Sequence, residues 1–137
     1  MTSNKNENNL SFIKCWGTGA PLREFLHVDD LAEACIFALC NWNPSDDDAP
    51  KDDNGKNLSW LNIGSNEEIS IKNLTKKIAT EIDYHGDIVW DKTQPDGTPR
   101  KLLDSSRFYN LGWKPKINLS EGIRRTIKSS ADIFFIT

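Results

Sequence analysis

Two stretches of the chain hold the residues best suited to chemistry. The first runs Trp16-Gly-Thr-Gly-Ala-Pro-Leu-Arg-Glu-Phe-Leu-His-Val-Asp-Asp30, and the second Pro95-Asp-Gly-Thr-Pro-Arg-Lys-Leu-Leu-Asp104. Each sets fixed positive charge beside a turn: Arg23 at the mouth of a short apolar strand, Arg100 and Lys101 in the second stretch. A guanidinium is always charged and donates through a planar fork, whereas an ammonium is a compact point charge. Both bond strongly to phosphate oxygens, so a phosphorylated ligand is the chemistry these positions suit.

Each residue also has a plainer use. Arg23 could pair with Glu24, Asp29 or Asp30, and Lys101 could simply be solvated. Asp96 precedes Gly97, and Asp is a common turn residue because it bonds its own backbone. Trp16 is a large aromatic, whose usual fate is packing. Arg100 could fold its loop. His27 reads as a satisfied structural histidine. Asp29 and Asp30 read as helix cap and hydrogen-bond partners rather than as catalysts.

Ser11–Trp16 reads as a strand, Gly17–Pro21 as a turn and Arg23–Val28 as a half-buried strand of alternating character. Asp29 or Asp30 should cap a helix in which Leu31, Ala34, Cys35, Ala38 and Leu39 recur at helical spacing, ending between Asn41 and Pro44. Residues 44–57 form an acidic loop, a solvated insertion whose spacing fits no calcium loop. Leu58–Gly64 reads as a strand and Ser65–Ser70 as a loop. Ser70 should cap a helix over Ile71–Ile82, followed by a strand at Asp87–Trp90 and an irregular loop over Asp91–Lys101. Asp104 should cap a short helix, Ser105–Leu111, stopped by Gly112. Trp113–Ile117 is extended, and a last helix covers about Glu121–Phe135 with Ser120 or Asn118 as its cap. Strands alternating with helices argue for an α/β arrangement.

The chain has 137 residues, a length for one small domain with a modest core. Only 37% of its residues are hydrophobic, which points to long polar loops or an incomplete domain. A formal net charge of -3 provides no bulk attraction to nucleic acid or anionic membrane. No apolar run is long enough to span a bilayer. Met1–Asn9 is polar and lacks the apolar core of a secretory signal, so a cytoplasmic setting is expected. Residues 1–10 read as a disordered end, with residues 11–137 as the folded segment. Cys15, Cys35 and Cys40 suggest neither a disulfide framework nor a zinc site, and Cys35 and Cys40 are expected to be buried in the helix. No G-x-G-x-x-G occurs; Gly17-Thr-Gly19 is a fragment of that pattern followed by a strand, not a helix. Tyr84 and Tyr109 both lack a lysine four residues on.

The first stretch through Leu31-Ala, then Leu61-Asn-Ile-Gly64, Lys92 to Asp104 and Leu111-Gly-Trp113 together resemble the GDP-L-fucose synthases, which are extended short-chain dehydrogenase/reductases. The arginine–strand–His-Val-Asp-Asp element alone would indicate only the wider nucleotide-sugar epimerase and dehydratase group. The Pro-Asp-Gly-Thr-Pro-Arg-Lys loop is the more specific feature, and the resemblance spans about Phe12–Thr126. It implies the C-terminal, substrate-binding part of the family's α/β fold, incomplete without an N-terminal Rossmann domain. It further implies substrate contact by Trp16, Arg23, Asp96 and Lys101. Arg23 and Lys101 would neutralise a diphosphate, Asp96 would accept from ribose or base donors, and Trp16 would cover the sugar or line the wall.

The family's reaction takes GDP-4-keto-6-deoxy-mannose to GDP-L-fucose by 3,5-epimerisation and NADPH-dependent reduction. The family's cofactor fingerprint and catalytic Ser, Tyr and Lys have no counterpart in this sequence. The chain is therefore expected to be inactive alone and not to bind NADP(H) by itself, as a truncated product or one half of a split enzyme. The implied partners are a GDP-sugar, a separate N-terminal Rossmann polypeptide and, from the family, a second copy. The alternatives are a stand-alone nucleotide-sugar binding module and a nucleotide-sugar reductase or epimerase of other specificity.

Overall fold

The computed structural model describes residues 12–134, with side chains described through residue 130. The expected disordered end at 1–10 lies outside the described residues, as do Ser11 and residues 135–137.

Two small sheets carry the chain. β1 (Phe12–Trp16) pairs in parallel with β4 (Asp87–Asp91), bringing Trp16 opposite Asp91. β2 (Leu22–Glu24) is the centre of the second sheet. On one side it pairs antiparallel with β3 (Glu68–Ser70), and on the other in parallel with β5 (Arg100–Lys101). Four helices complete the fold: α1 (Val28–Asn41), α2 (Ile71–Glu81), α3 (Ser106–Asn110) and α4 (Leu119–Phe134). The expected alternation of strands and helices is present, and the architecture is α/β.

Capping explains where the helices start. Ser70 Oγ accepts from Asn73 N at the head of α2, and Asn118 Oδ1 accepts from Glu121 N at the head of α4. α1 departs from expectation. Its N-cap is His27, whose Nδ1 accepts from Asp29 N at 3.2 Å, because Val28 is already helical. Asp29 and Asp30 fall inside the first turn, where negative charge suits the helix dipole. Asp30 is buried, and its Oδ2 accepts from Lys116 N and Ile117 N at 3.1 and 2.9 Å, fastening the segment before α4 to α1. Asp104 Oδ1 likewise accepts from Ser106 N, one residue inside the α3 cap, Ser105.

The expected strand over Leu58–Gly64 does not form. No described strand runs beside it, and a strand without a partner gains no ladder bonds. Leu61 and Ile63 instead pack against the core. The strand expected over Arg23–Val28 shortens to β2, and the loops expected at Ser65–Ser70 and Asp91–Lys101 end in β3 and β5.

The core is small. Ala34 of α1, Phe108 of α3 and Trp113 are its buried members, with Phe37, Ala38, Leu61 and Ile63 partly covering them. Phe37 meets Phe108 edge-on at 5.9 Å, and Phe108 meets Trp113 at 5.5 Å. The burial expected for Cys35 and Cys40 is overturned, since both are exposed. They lie on the side of α1 turned away from this core, as do Val28, Ile36 and Leu39. The acidic loop is a set of solvated turns; Asp52 Oδ1 accepts from Asn54 N and Lys56 N.

Candidate functional site

The site is built around the turn after β1. Gly17 and Gly19 both have positive φ, +75° and +73°, a region that β-carbons disfavour. Close approach forbids side chains there as well. A Cβ on Gly17 would collide with the Asp96 carboxylate, and one on Gly19 would lie 2.5 Å from the Trp90 ring. Thr18 between them faces Asp96: its N–H donates to Oδ1 at 2.8 Å and its hydroxyl to Oδ2 at 2.6 Å. The Thr18 hydroxyl and then its amide hold the Asp96 carboxyl below its ordinary value of 3.8. Asp96 thus joins the two chemical stretches across a long separation in sequence. The Gly19 amide also faces the carboxylate, which keeps acceptor capacity beyond these bonds.

Arg23 and Lys101 are direct partners in the β2–β5 ladder. Neighbouring strands lie about 5 Å apart, and paired residues share a face, so the two cations stand side by side. Arg23 is half-buried and Lys101 exposed. Arg23 Nη1 donates to Leu22 O at 2.6 Å. Its other terminal nitrogen reaches the second stretch, where a Cβ on Gly97 would sit 3.2 Å from Nη2. Among the described residues neither cation has a carboxylate within ion-pair distance. Trp16 is 73% exposed, which rules out the core role weighed for it. Arg23, Lys101 and the Asp96–Gly97 loop thus meet at one strand pair and one turn, and Trp16 is the residue that precedes that turn.

Arg100 is engaged elsewhere. Alternation along β5 puts it on the other face, where Nε and Nη2 donate to the two Glu68 oxygens, each at 2.6 Å. That bidentate bond lowers the Glu68 carboxyl and raises the guanidinium. Alternation also explains why Glu24 cannot serve Arg23, since adjacent strand residues face opposite ways. Thr18 and Glu24, which bond to the loops around these residues, are the side chains that sequence reasoning missed. The signal for Glu24 was that same alternation; Thr18, flanked by two glycines, offered none.

Two polar hollows flank the second sheet, the larger, about 500 Å³, lined by Glu67, Glu68, Lys77, Ser120 and Arg124. The smaller, about 380 Å³, lies beside β5 and is lined by Asn66, Arg100, Leu102, Leu103 and Asp104, so it opens on the Arg100 side of the strand and not on the side of Arg23 and Lys101. An apolar hollow of about 290 Å³ between α2 and α4, lined by Phe25, Leu74, Ile78 and Ile123, lies away from the cations. Among the described residues no cluster of His, Cys, Asp or Glu is placed to hold a metal, and no helix is long and apolar enough to cross a membrane.

Comparison with known proteins places the chain among nucleotide-sugar enzymes. Residues 2–49 match the model of the NAD dependent epimerase/dehydratase family. The chain is 45% identical over 121 residues to a probable GDP-L-fucose synthase 1 of Oryza sativa subsp. japonica, covering 88% of this chain and 33% of the relative. A GDP-6-OMe-4-keto-L-xylo-heptose reductase from C. jejuni superimposes with a TM-score of 0.77 at 32% identity, over 89% of this chain and 34% of that one. A GDP-mannoheptose C4 reductase from Campylobacter jejuni with NADP bound gives 0.69 at 32% identity, over 85% and 34%. The chain spans about a third of the length of the relatives it matches.

Proposed function

This chain belongs to the NAD dependent epimerase/dehydratase family, and on that premise we propose that it forms the GDP-sugar-holding side of a GDP-L-fucose synthase. The activity to which it contributes is the conversion of GDP-4-keto-6-deoxy-mannose to GDP-L-fucose by 3,5-epimerisation and NADPH-dependent reduction. Arg23 and Lys101 face the diphosphate, which carries about two negative charges that cations and charge-assisted hydrogen bonds offset. Trp16 covers the ligand with an indole that is already solvent-facing. Asp96 holds the Gly17–Gly19 turn through Thr18 and accepts from ribose or base through its remaining lone pairs.

The observation that carries this reading is the in-register pair of cations, which have no carboxylate partner among the described residues. A cation left unpaired beside a tightly held turn is poised for an anion that is not part of the chain. NADP(H) supplies hydride in the family, but the sequence has neither a G-x-G-x-x-G nor a Tyr-x-x-x-Lys, so the residues present do not fit the cofactor. The chain by itself is expected to give no turnover with NADPH and the keto sugar.

Titration calorimetry with GDP tests the reading. GDP should bind more tightly than GMP, and Arg23→Ala and Lys101→Ala should each weaken binding about tenfold or more, the scale of one lost charge-assisted bond. Absence of heat at millimolar GDP, or equal affinity for GMP, would overturn it. Likeness to the two GDP-heptose reductases supports a second reading, in which the same pocket holds another GDP-sugar. Calorimetry with GDP-mannose and a GDP-heptose in parallel separates the two.

A further inference from the structure

We propose that Glu24 is a positioning residue that keeps Lys101 beside Arg23, a role that rests on the diphosphate reading above. Glu24 points away from both cations and is half-buried. Its carboxylate is satisfied by backbone from two remote segments. Oε2 accepts from Ser65 N at 3.0 Å and Asn66 N at 3.1 Å, and Oε1 accepts from Leu103 N at 2.7 Å. Among the described residues no cation pairs with it. A carboxylate that spends its acceptors on main-chain N–H groups anchors chain rather than binding ligand.

Three features show that the cradle is built for this group. Gly64 passes so close that a Cβ there would collide with the carboxylate. Asn66 adopts φ of 62°, a left-handed conformation that Asn tolerates better than most residues, and this turns its N–H to Glu24. Tyr109 Oη donates to Gly64 O at 2.8 Å, fixing the peptide from the other side.

The consequence falls on β5. A two-residue strand has too few ladder bonds to hold its own register. Leu22 N donates to Pro99 O at 2.9 Å and secures the entrance to the strand. Leu103, two residues beyond Lys101, is secured only by Glu24 among the hydrogen bonds described for its N–H. The carboxylate on one face of β2 therefore sets the place of the cation on the other.

The test uses the full chain with and without GDP. In ligand-free protein, Glu24→Gln puts an amide donor against backbone donors. It should speed amide exchange at Ser65, Asn66 and Leu103 about tenfold or more, while the capped amides of Asn73 and Ile117 stay unchanged. GDP affinity should fall about tenfold, as for an interaction that pre-organises a site. Gly64→Ala displaces the carboxylate without altering it and should reproduce both effects. Phe108→Leu, a core variant of comparable stability loss, should leave GDP affinity within about twofold when measured where the chain is folded. Unchanged exchange at Leu103 in both Glu24→Gln and Gly64→Ala would overturn the proposal, as would equal loss of affinity in Phe108→Leu. If the unaltered chain fails to bind GDP, the diphosphate reading falls and the Leu103 exchange alone decides whether Glu24 clamps β5.

Discussion

Asp96 carries two expectations, a turn residue's and a ligand contact's, and the structure gives it a third partner. The sequence places it in a turn and the family resemblance places it against the ligand; in the structure it bonds across to a different turn, through Thr18. Its pH behaviour follows. A carboxyl held below 3.8 by the Thr18 hydroxyl and amide is stabilising while ionised. That contribution is fully present above the unfolded value and is lost as pH falls through the lowered folded value. The same sign holds for Asp91, brought down to about 2 chiefly by Lys14 and then by Thr93. The Thr18–Asp96 bond should therefore persist throughout the neutral range and open only in acid. The Thr18 amide resonance, followed by NMR, is expected to titrate with a midpoint below 3.8. A midpoint at the ordinary carboxylate value would mean that the bond is absent in solution. Asp96→Asn should abolish that transition.

Among the elements, what was legible was what is local. The start of α2 at Ile71 follows from Ser70, and the start of α4 from Asn118, because a cap acts within three residues of itself. Ser70→Ala is expected to cost about 1 kcal/mol, read by urea unfolding. Ser59→Ala, exposed in the irregular segment, should stay within about 0.5 kcal/mol; equal losses would mean the Ser70 bond contributes nothing. The short strands were not legible, since β3 and β5 are defined by β2 lying beside them rather than by their own residues. The converse error was Leu58–Gly64, which has strand composition but no described neighbour. In the site, Arg23 and Lys101 were readable from charge and resemblance, whereas their pairing in one ladder depends on register, which no local pattern reports.

At the scale of the whole molecule the controlling feature is α1, a helix with two apolar faces. Ala34, Phe37 and Ala38 face the core. On the other side Val28, Leu31, Ala32, Cys35, Ile36 and Leu39 follow helical spacing and are exposed, Leu39 by 86%. A helix apolar on both faces belongs between two layers, and one layer is all the described residues provide. The chain also spans about a third of the length of its relatives. The expected outcome is concentration-dependent self-association, or pairing with a separate dinucleotide-binding polypeptide, through this face. Sedimentation at roughly tens of micromolar, where exposed apolar surface drives association, should show species larger than a monomer. Leu39→Glu combined with Ile36→Lys should restore the monomer and remove binding of a hydrophobic dye. Because both side chains are solvent-facing, the change to monomer stability should stay within about 0.5 kcal/mol per site. Adding the dinucleotide-binding portion of a relative as a second polypeptide should displace the dye from the unaltered chain but find no purchase on the double variant. A monomer that melts cooperatively well above ambient temperature with α1 unaltered would show that the exposed stripe carries no such demand.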